Sequence, residues 1–323
     1  MGTGSNTRSD YALLEVEMYL VKPGHEDSFT HSSEAQKHPG QWYFHRAPTR
    51  SPPPPGSNAP TPGFRGGTRK GLDLTFGGAG ATGGILFRSM RRVSDGTLVS
   101  GPSLLVDELL NRSRQPSIAA LVGTWPTLSA FPSNGTPGLE PHTGLNGVNG
   151  TALAFLGPAM HLVSSDAPRS HAVHCSPRIG LDLSHKSVSS SATDPRVRFV
   201  AAPYRYFVGP EALTVNGRMQ TFIGLYEELL ALNVAGAASG ANANANANEQ
   251  RAVLKVAEMM ALRSGTAEEY VRYYRAGRKT GDIDKFVGVK TSSPKAYLEL
   301  VGALRTFLAA SDETATIVLS TST

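Results

Sequence analysis

Residues 13–20, Leu-Leu-Glu-Val-Glu-Met-Tyr-Leu, alternate with a period of two, and that period commits the segment to a β-strand. Leu14, Val16, Met18 and Leu20 share one face, and Glu15, Glu17 and Tyr19 share the other. A strand needs partners to satisfy its backbone, so the rest of the chain must supply a sheet. The alternation predicts that the apolar face meets the core and that the polar face lies away from it.

Candidate partners follow. Residues 41–45, 71–76, 84–91, 196–201 and 204–208 read as strands from their β-branched and aromatic content. Residues 102–110 read as a short helix, with Pro102 suited to its first turn. Beyond residue 218 the period becomes helical: Phe222, Ile223, Tyr226, Leu229 and Leu230 form one stripe, and Val253, Val256, Ala257 and Met260 another. Thr266 with Glu269 reads as a capping box for a helix through Tyr274. Ser293 and Pro294 open a last helix that turns Leu298, Val301 and Leu304 inward.

With 34 Gly and 22 Pro in 323 residues, much of the length must be loop. Four stretches carry it: 46–67 with the run Pro52–Pro55, 131–150, 184–195, and 236–248, whose Ala-Asn repeats read as a linker. The fold class expected is α+β: a curved, mainly antiparallel sheet with surrounding helices and a small helical C-terminal module. Composition divides it into an α+β domain over 1–210 and a helical extension over 211–323.

Several classes of chemistry are excluded. The single cysteine, Cys175, permits no disulfide framework and no Cys-rich zinc site. His171, His174 and Cys175 lack a fourth ligand at a recognised spacing, so no metal is expected. No run of about eighteen apolar residues suits a membrane helix, and the amino terminus shows no signal-peptide core. No P-loop, G-x-S-x-G elbow or dinucleotide fingerprint occurs, and the glycines of 77–84 join two strands without opening a helix. The formal charge of +5 suits a polyanionic partner.

The motifs fall in a telling order. E-V-E-M-Y-L at 15–20 precedes a loop with Asp27 and His31, then G-Q-W-Y-F-H at 40–45, G-G-I-L-F-R-S-M at 83–90 and V-S-G-P-S-L-L at 99–105. P-R-I-G-L-D at 177–182 and P-Y-R-Y-F-V at 203–208 come last. This succession resembles the alkyladenine (3-methyladenine) DNA glycosylases over roughly residues 13–208. The resemblance implies a monofunctional glycosylase that flips a damaged purine out of DNA and hydrolyses its N-glycosidic bond, without cofactor or metal.

The implied roles attach to particular positions. Glu17, the second glutamate of the E-x-E pair, matches the residue that deprotonates the attacking water, and Arg88 matches the arginine that helps hold that water. Tyr19 matches the aromatic that stacks on the flipped base, and His31 the pocket histidine. His45 stands where the family has a second stacking tyrosine, and Leu181 where it has an aliphatic base contact. Arg69, Lys70, Arg91 and Arg92 flank these segments as DNA-binding cations. Arg272, Arg275, Arg278 and Lys279 form a second basic group.

Two departures stand out. The stretch 68–76 has no tyrosine to wedge into a duplex, and only about twelve residues precede the E-x-E strand, leaving little of the family's amino-terminal helix and hairpin. The reading that follows is a monomeric, nuclear base-excision enzyme acting on DNA that contains damaged purines. The alternatives are a non-catalytic nucleic-acid-binding member of the fold, or a hydrolase acting on another N-glycoside.

Overall fold

The computed structural model describes residues 8–48, 63–125, 127–131, 159–164, 171–213, 215–237 and 245–321. The strands are β1 (Tyr11–Lys22), β2 (His25–Glu26), β3 (Trp42–Phe44), β4 (Leu72–Thr75), β5 (Thr82–Arg92), β6 (Leu98–Ser100), β7 (His174–Ser176) and β8 (Arg205–Phe207). The helices are α1 (Pro102–Ser113), α2 (Ile118–Thr124), α3 (Pro195–Phe199), α4 (Arg218–Ala237), α5 (Ala245–Met259), α6 (Ser264–Thr280) and α7 (Pro294–Thr321). The fold is α+β with antiparallel strand pairs, as the alternation predicts.

The chain forms two compact units. One comprises 1–13 and 32–169, the other 14–31 and 170–323, so β1 starts in the first and continues in the second. The compositional break at 210 therefore does not coincide with the break in contacts.

In the first unit, β3 pairs with β4 (Trp42 opposite Leu74), β4 with β5 (Leu74 opposite Ile85), and β5 with β6 (Met90 opposite Val99). The glycine-rich turn between β4 and β5 closes through a bridge between Gly78 and Ala81. Trp42, Phe44, Leu72, Phe87, Leu105 and Leu121 make its core, with Trp42 edge-on to Phe87 at 5.5 Å. Helix α1 begins at Pro102 as expected. It follows Gly101, whose φ of 119° suits a residue without Cβ. Of the expected loops, 49–62 and 132–150 lie outside the described residues.

In the second unit, β1 pairs with β8, Glu15 opposite Phe207 and Glu17 opposite Arg205, and β8 pairs with β7. Against them pack the C-terminal helices. Phe222, Ile223 and Tyr226 of α4 join Val256, Tyr270, Tyr274, Leu298, Val301 and Leu304 in one core with Phe207. Helix α4 passes close over β7: a Cβ on Gly224 would stand 2.2 Å from the Cys175 carbonyl oxygen.

Three local expectations change. Residues 196–201 are not a strand. Asp194 accepts the Arg196 N–H at 2.8 Å and Pro195 occupies the first turn, so the segment starts a helix. Helix α6 opens one turn before the expected capping box, at Ser264, and runs on to Thr280. The Ala-Asn stretch is partly helical: α4 continues to Ala237 and α5 already begins at Ala245, while 238–244 lie outside the described residues.

Candidate functional site

Strand β1 reverses the expected burial. The polar face is the buried one, with Glu15 at 2% and Glu17 at 0% exposure, whereas Leu14, Val16, Met18 and Leu20 are only half-buried. Buried carboxylates persist only where donors replace water, and the second unit supplies them. Glu15 accepts from Arg205 Nε at 2.6 Å. Arg205, itself fully buried, also donates to Ser176 Oγ at 2.9 Å and Thr221 Oγ1 at 3.0 Å. Glu17 is held at both oxygens, Oε1 by the Ile179 N–H at 2.6 Å and Oε2 by the Tyr19 hydroxyl at 2.7 Å.

The 177–180 loop that presents the Ile179 N–H is fixed by Arg178. Its guanidinium is fully buried and makes a two-pronged pair with Asp27, at 2.6 and 3.2 Å. It also donates to the Met18 carbonyl at 3.0 Å and the Phe199 carbonyl at 3.3 Å. The same guanidinium lies 4.4 Å from the centre of the Tyr19 ring. Asp27 in turn accepts the Phe29 N–H at 3.1 Å, which shapes the loop after β2. His25 closes the arrangement. Its Nδ1 faces the Leu20 carbonyl at 3.0 Å and so donates, leaving Nε2 to accept from the Tyr204 hydroxyl at 2.8 Å. Burial lifts the Tyr204 phenol above its usual pKa, against the opposing pull of Arg178.

The expected site residues divide between the two units. Glu17, Tyr19, His31 and Leu181 belong to the second, and Arg88, His45, Arg69, Lys70, Arg91 and Arg92 to the first. Tyr19 is half-buried, with its hydroxyl spent on Glu17 and its ring against Arg178. His31 is exposed, and Leu181 is half-buried against the core. Arg88 is buried in β5. His45 follows β3 with Nε2 on Asp73 Oδ1 at 2.8 Å, while Gln36 donates to the other oxygen of Asp73 at 3.2 Å. The His45 ring lies against Gly71, where a Cβ would stand 2.6 Å from it. Of the four flanking cations, Lys70 is paired with Asp107. Arg92 bridges Asp95 at 2.7 Å and Glu108 at 2.6 Å. Arg69 is exposed and Arg91 half-buried.

Sequence reasoning missed Arg178 and Arg205 as anchors, and with them His25 and Tyr204. The one available signal was an arginine set among apolar residues in each of P-R-I-G-L and P-Y-R-Y-F. Among the described residues, no group of three His, Cys, Asp or Glu side chains is arranged to hold a metal ion. His174 is instead paired with Glu228 at 2.9 Å. No described helix is long and apolar enough to cross a membrane.

No family model matches the chain. It is similar to an uncharacterised protein of Acanthamoeba polyphaga mimivirus, 29% identical over 128 residues, which is 36% of this chain and 54% of the viral protein. The chain thus spans about half the length of the curated relative it matches.

Proposed function

We propose that the protein is a monofunctional DNA glycosylase that removes damaged purines, with Glu17 as its general base. The observation that carries the reading is the carboxylate of Glu17, fully buried and held at both oxygens by the Ile179 N–H and the Tyr19 hydroxyl. Two segments of the glycosylase-like succession, 15–20 and 177–182, meet at that carboxylate within one unit, and a third, 203–208, pairs with the strand that carries it.

In this mechanism Glu17 takes a proton from water as the water oxygen bonds to C1′ of the flipped nucleotide. The bond from C1′ to the base nitrogen breaks, and its electron pair leaves with the base. The negative charge of Glu17 stabilises the oxocarbenium-like sugar. Within the unit that holds Glu17, Tyr19, His31 and Leu181 are assigned to the base. A DNA substrate makes the nucleus the compartment of action.

A second reading, a non-catalytic nucleic-acid-binding protein, draws on the same burial: a carboxylate at 0% exposure also serves as a brace for the 177–180 loop. The two are separated by incubating the protein with oligonucleotides that carry ethenoadenine, hypoxanthine or 3-methyladenine, followed by alkaline cleavage of abasic sites. Strand breaks at a lesion are the expected result. Binding without breaks on any of the three selects the second reading.

A further inference from the structure

Glu17 is held by two donors, the Ile179 N–H at 2.6 Å and the Tyr19 hydroxyl at 2.7 Å, and one side chain stands behind both. The Ile179 N–H belongs to the planar peptide that begins at the Arg178 Cα, so fixing Arg178 fixes the direction of that bond. The Arg178 guanidinium also lies 4.4 Å from the centre of the Tyr19 ring, which carries the second donor.

The guanidinium is itself held on every side. It is fully buried and paired with Asp27, which is buried as well. Its remaining bonds go to the Met18 carbonyl at 3.0 Å and the Phe199 carbonyl at 3.3 Å. Met18 sits in β1 between Glu17 and Tyr19, so the same group grips the strand that carries the carboxylate. The rings of Phe29 and Tyr204 each stand 5.5 Å from it. Arg178 therefore spends its charge on Asp27 and reaches Glu17 through the two donors. Only a planar fork serves a carboxylate, two carbonyls and a ring face at once, which a lysine ammonium in the same place would not do.

We infer that Arg178, neutralised by Asp27, is a positioning residue for the Glu17 carboxylate and holds both of its donors in place. The role of Glu17 as general base is taken from the glycosylase reading, whereas the way the carboxylate is held rests on the geometry alone.

The test is amide hydrogen exchange followed by NMR on the whole protein, with two variants. Asp27→Asn leaves the guanidinium buried without its counter-charge, which weakens the fold as well. Asp27→Asn/Arg178→Met removes both charges, and replacing a buried pair by uncharged groups of similar volume is often neutral for stability. Loss of global stability quickens the core amides together, whereas loss of positioning quickens Ile179 selectively. The amides of Phe222 and Ile223 in α4, whose side chains are fully buried, serve as the reference. The Ile179 amide is expected to lose protection in both variants by more than that reference does. Protection that is retained at Ile179 in the double variant, or that falls only in step with α4, overturns the inference.

Single-turnover excision from a lesion-bearing oligonucleotide is measured in parallel. A misplacement of about 1 Å costs on the order of 100-fold in rate, so both variants should excise about 100-fold more slowly while DNA binding is retained. Variants that excise at the wild-type rate overturn the inference and leave the glycosylase reading standing. Wild type that excises nothing removes that reading, and the exchange result still decides whether Arg178 positions Glu17.

Discussion

Glu15 and Glu17 stand two residues apart on one strand face, and their partners give them different duties. Glu15 neutralises a fully buried arginine, Arg205. Removing its charge leaves that guanidinium buried against a neutral amide, a loss of about 3–5 kcal/mol for a broken buried pair. Glu15→Gln is therefore expected to lower the melting temperature by many degrees. A melting curve that overlays wild type would show that the pair carries no stability. Glu15→Gln is for that reason no neutral control for a change at Glu17. In the first unit, Glu108 is pushed down to about 2: burial raises it, but hydrogen bonds from Tyr11, Arg112 and Arg92 outweigh that effect. A depressed folded-state pKa means stability held above the unfolded value of 4.5 and lost as pH falls through about 2. Acid unfolding followed by circular dichroism should show this loss in wild type and a flatter profile over that window in Glu108→Gln. Coincident profiles would contradict the assignment.

Among the elements, α6 and α7 meet backbone to backbone. A Cβ on Gly277 would stand 2.0 Å from the Glu299 carbonyl oxygen, and one on Gly302 would stand 2.1 Å from that of Tyr274. Alanine ordinarily favours a helix over glycine by about 1 kcal/mol, but here the contact is with main chain that cannot rotate away. Gly302→Ala is expected to destabilise by about 1–3 kcal/mol, the usual cost of overpacking. A gain in melting temperature would show the helices free to part. Elements with a clear local signal were legible in the sequence: β1 and the α4 stripe from their periods, β5 from its residue types, and α7 from its stripe together with the Ser293-Pro294 start. The three-residue strands β6 and β7 are too short to show a period. Helix α3 was obscured because its start depends on Asp194 and Pro195, while Arg-Val-Arg-Phe imitates an alternating strand.

At the scale of the whole molecule, Glu17 and Tyr19 were legible as neighbours, but which face of β1 faces inward was not. A carboxylate can be buried once Arg178, Arg205 and the Ile179 N–H are in place, and these donors come from segments about 160–190 residues further along the chain. Local pattern carries no information about partners so distant. The division of the expected site residues between two units was equally invisible, because β1 itself passes from one unit to the other. The central claim is that Glu17 activates water, and it is tested most directly by single-turnover excision from a lesion-bearing oligonucleotide at pH 7. Glu17→Gln keeps the side chain's shape but cannot take the proton, so excision should fall by roughly 10²–10⁴-fold while DNA binding is retained. Wild type and Glu17→Gln excising at the same rate would contradict the account.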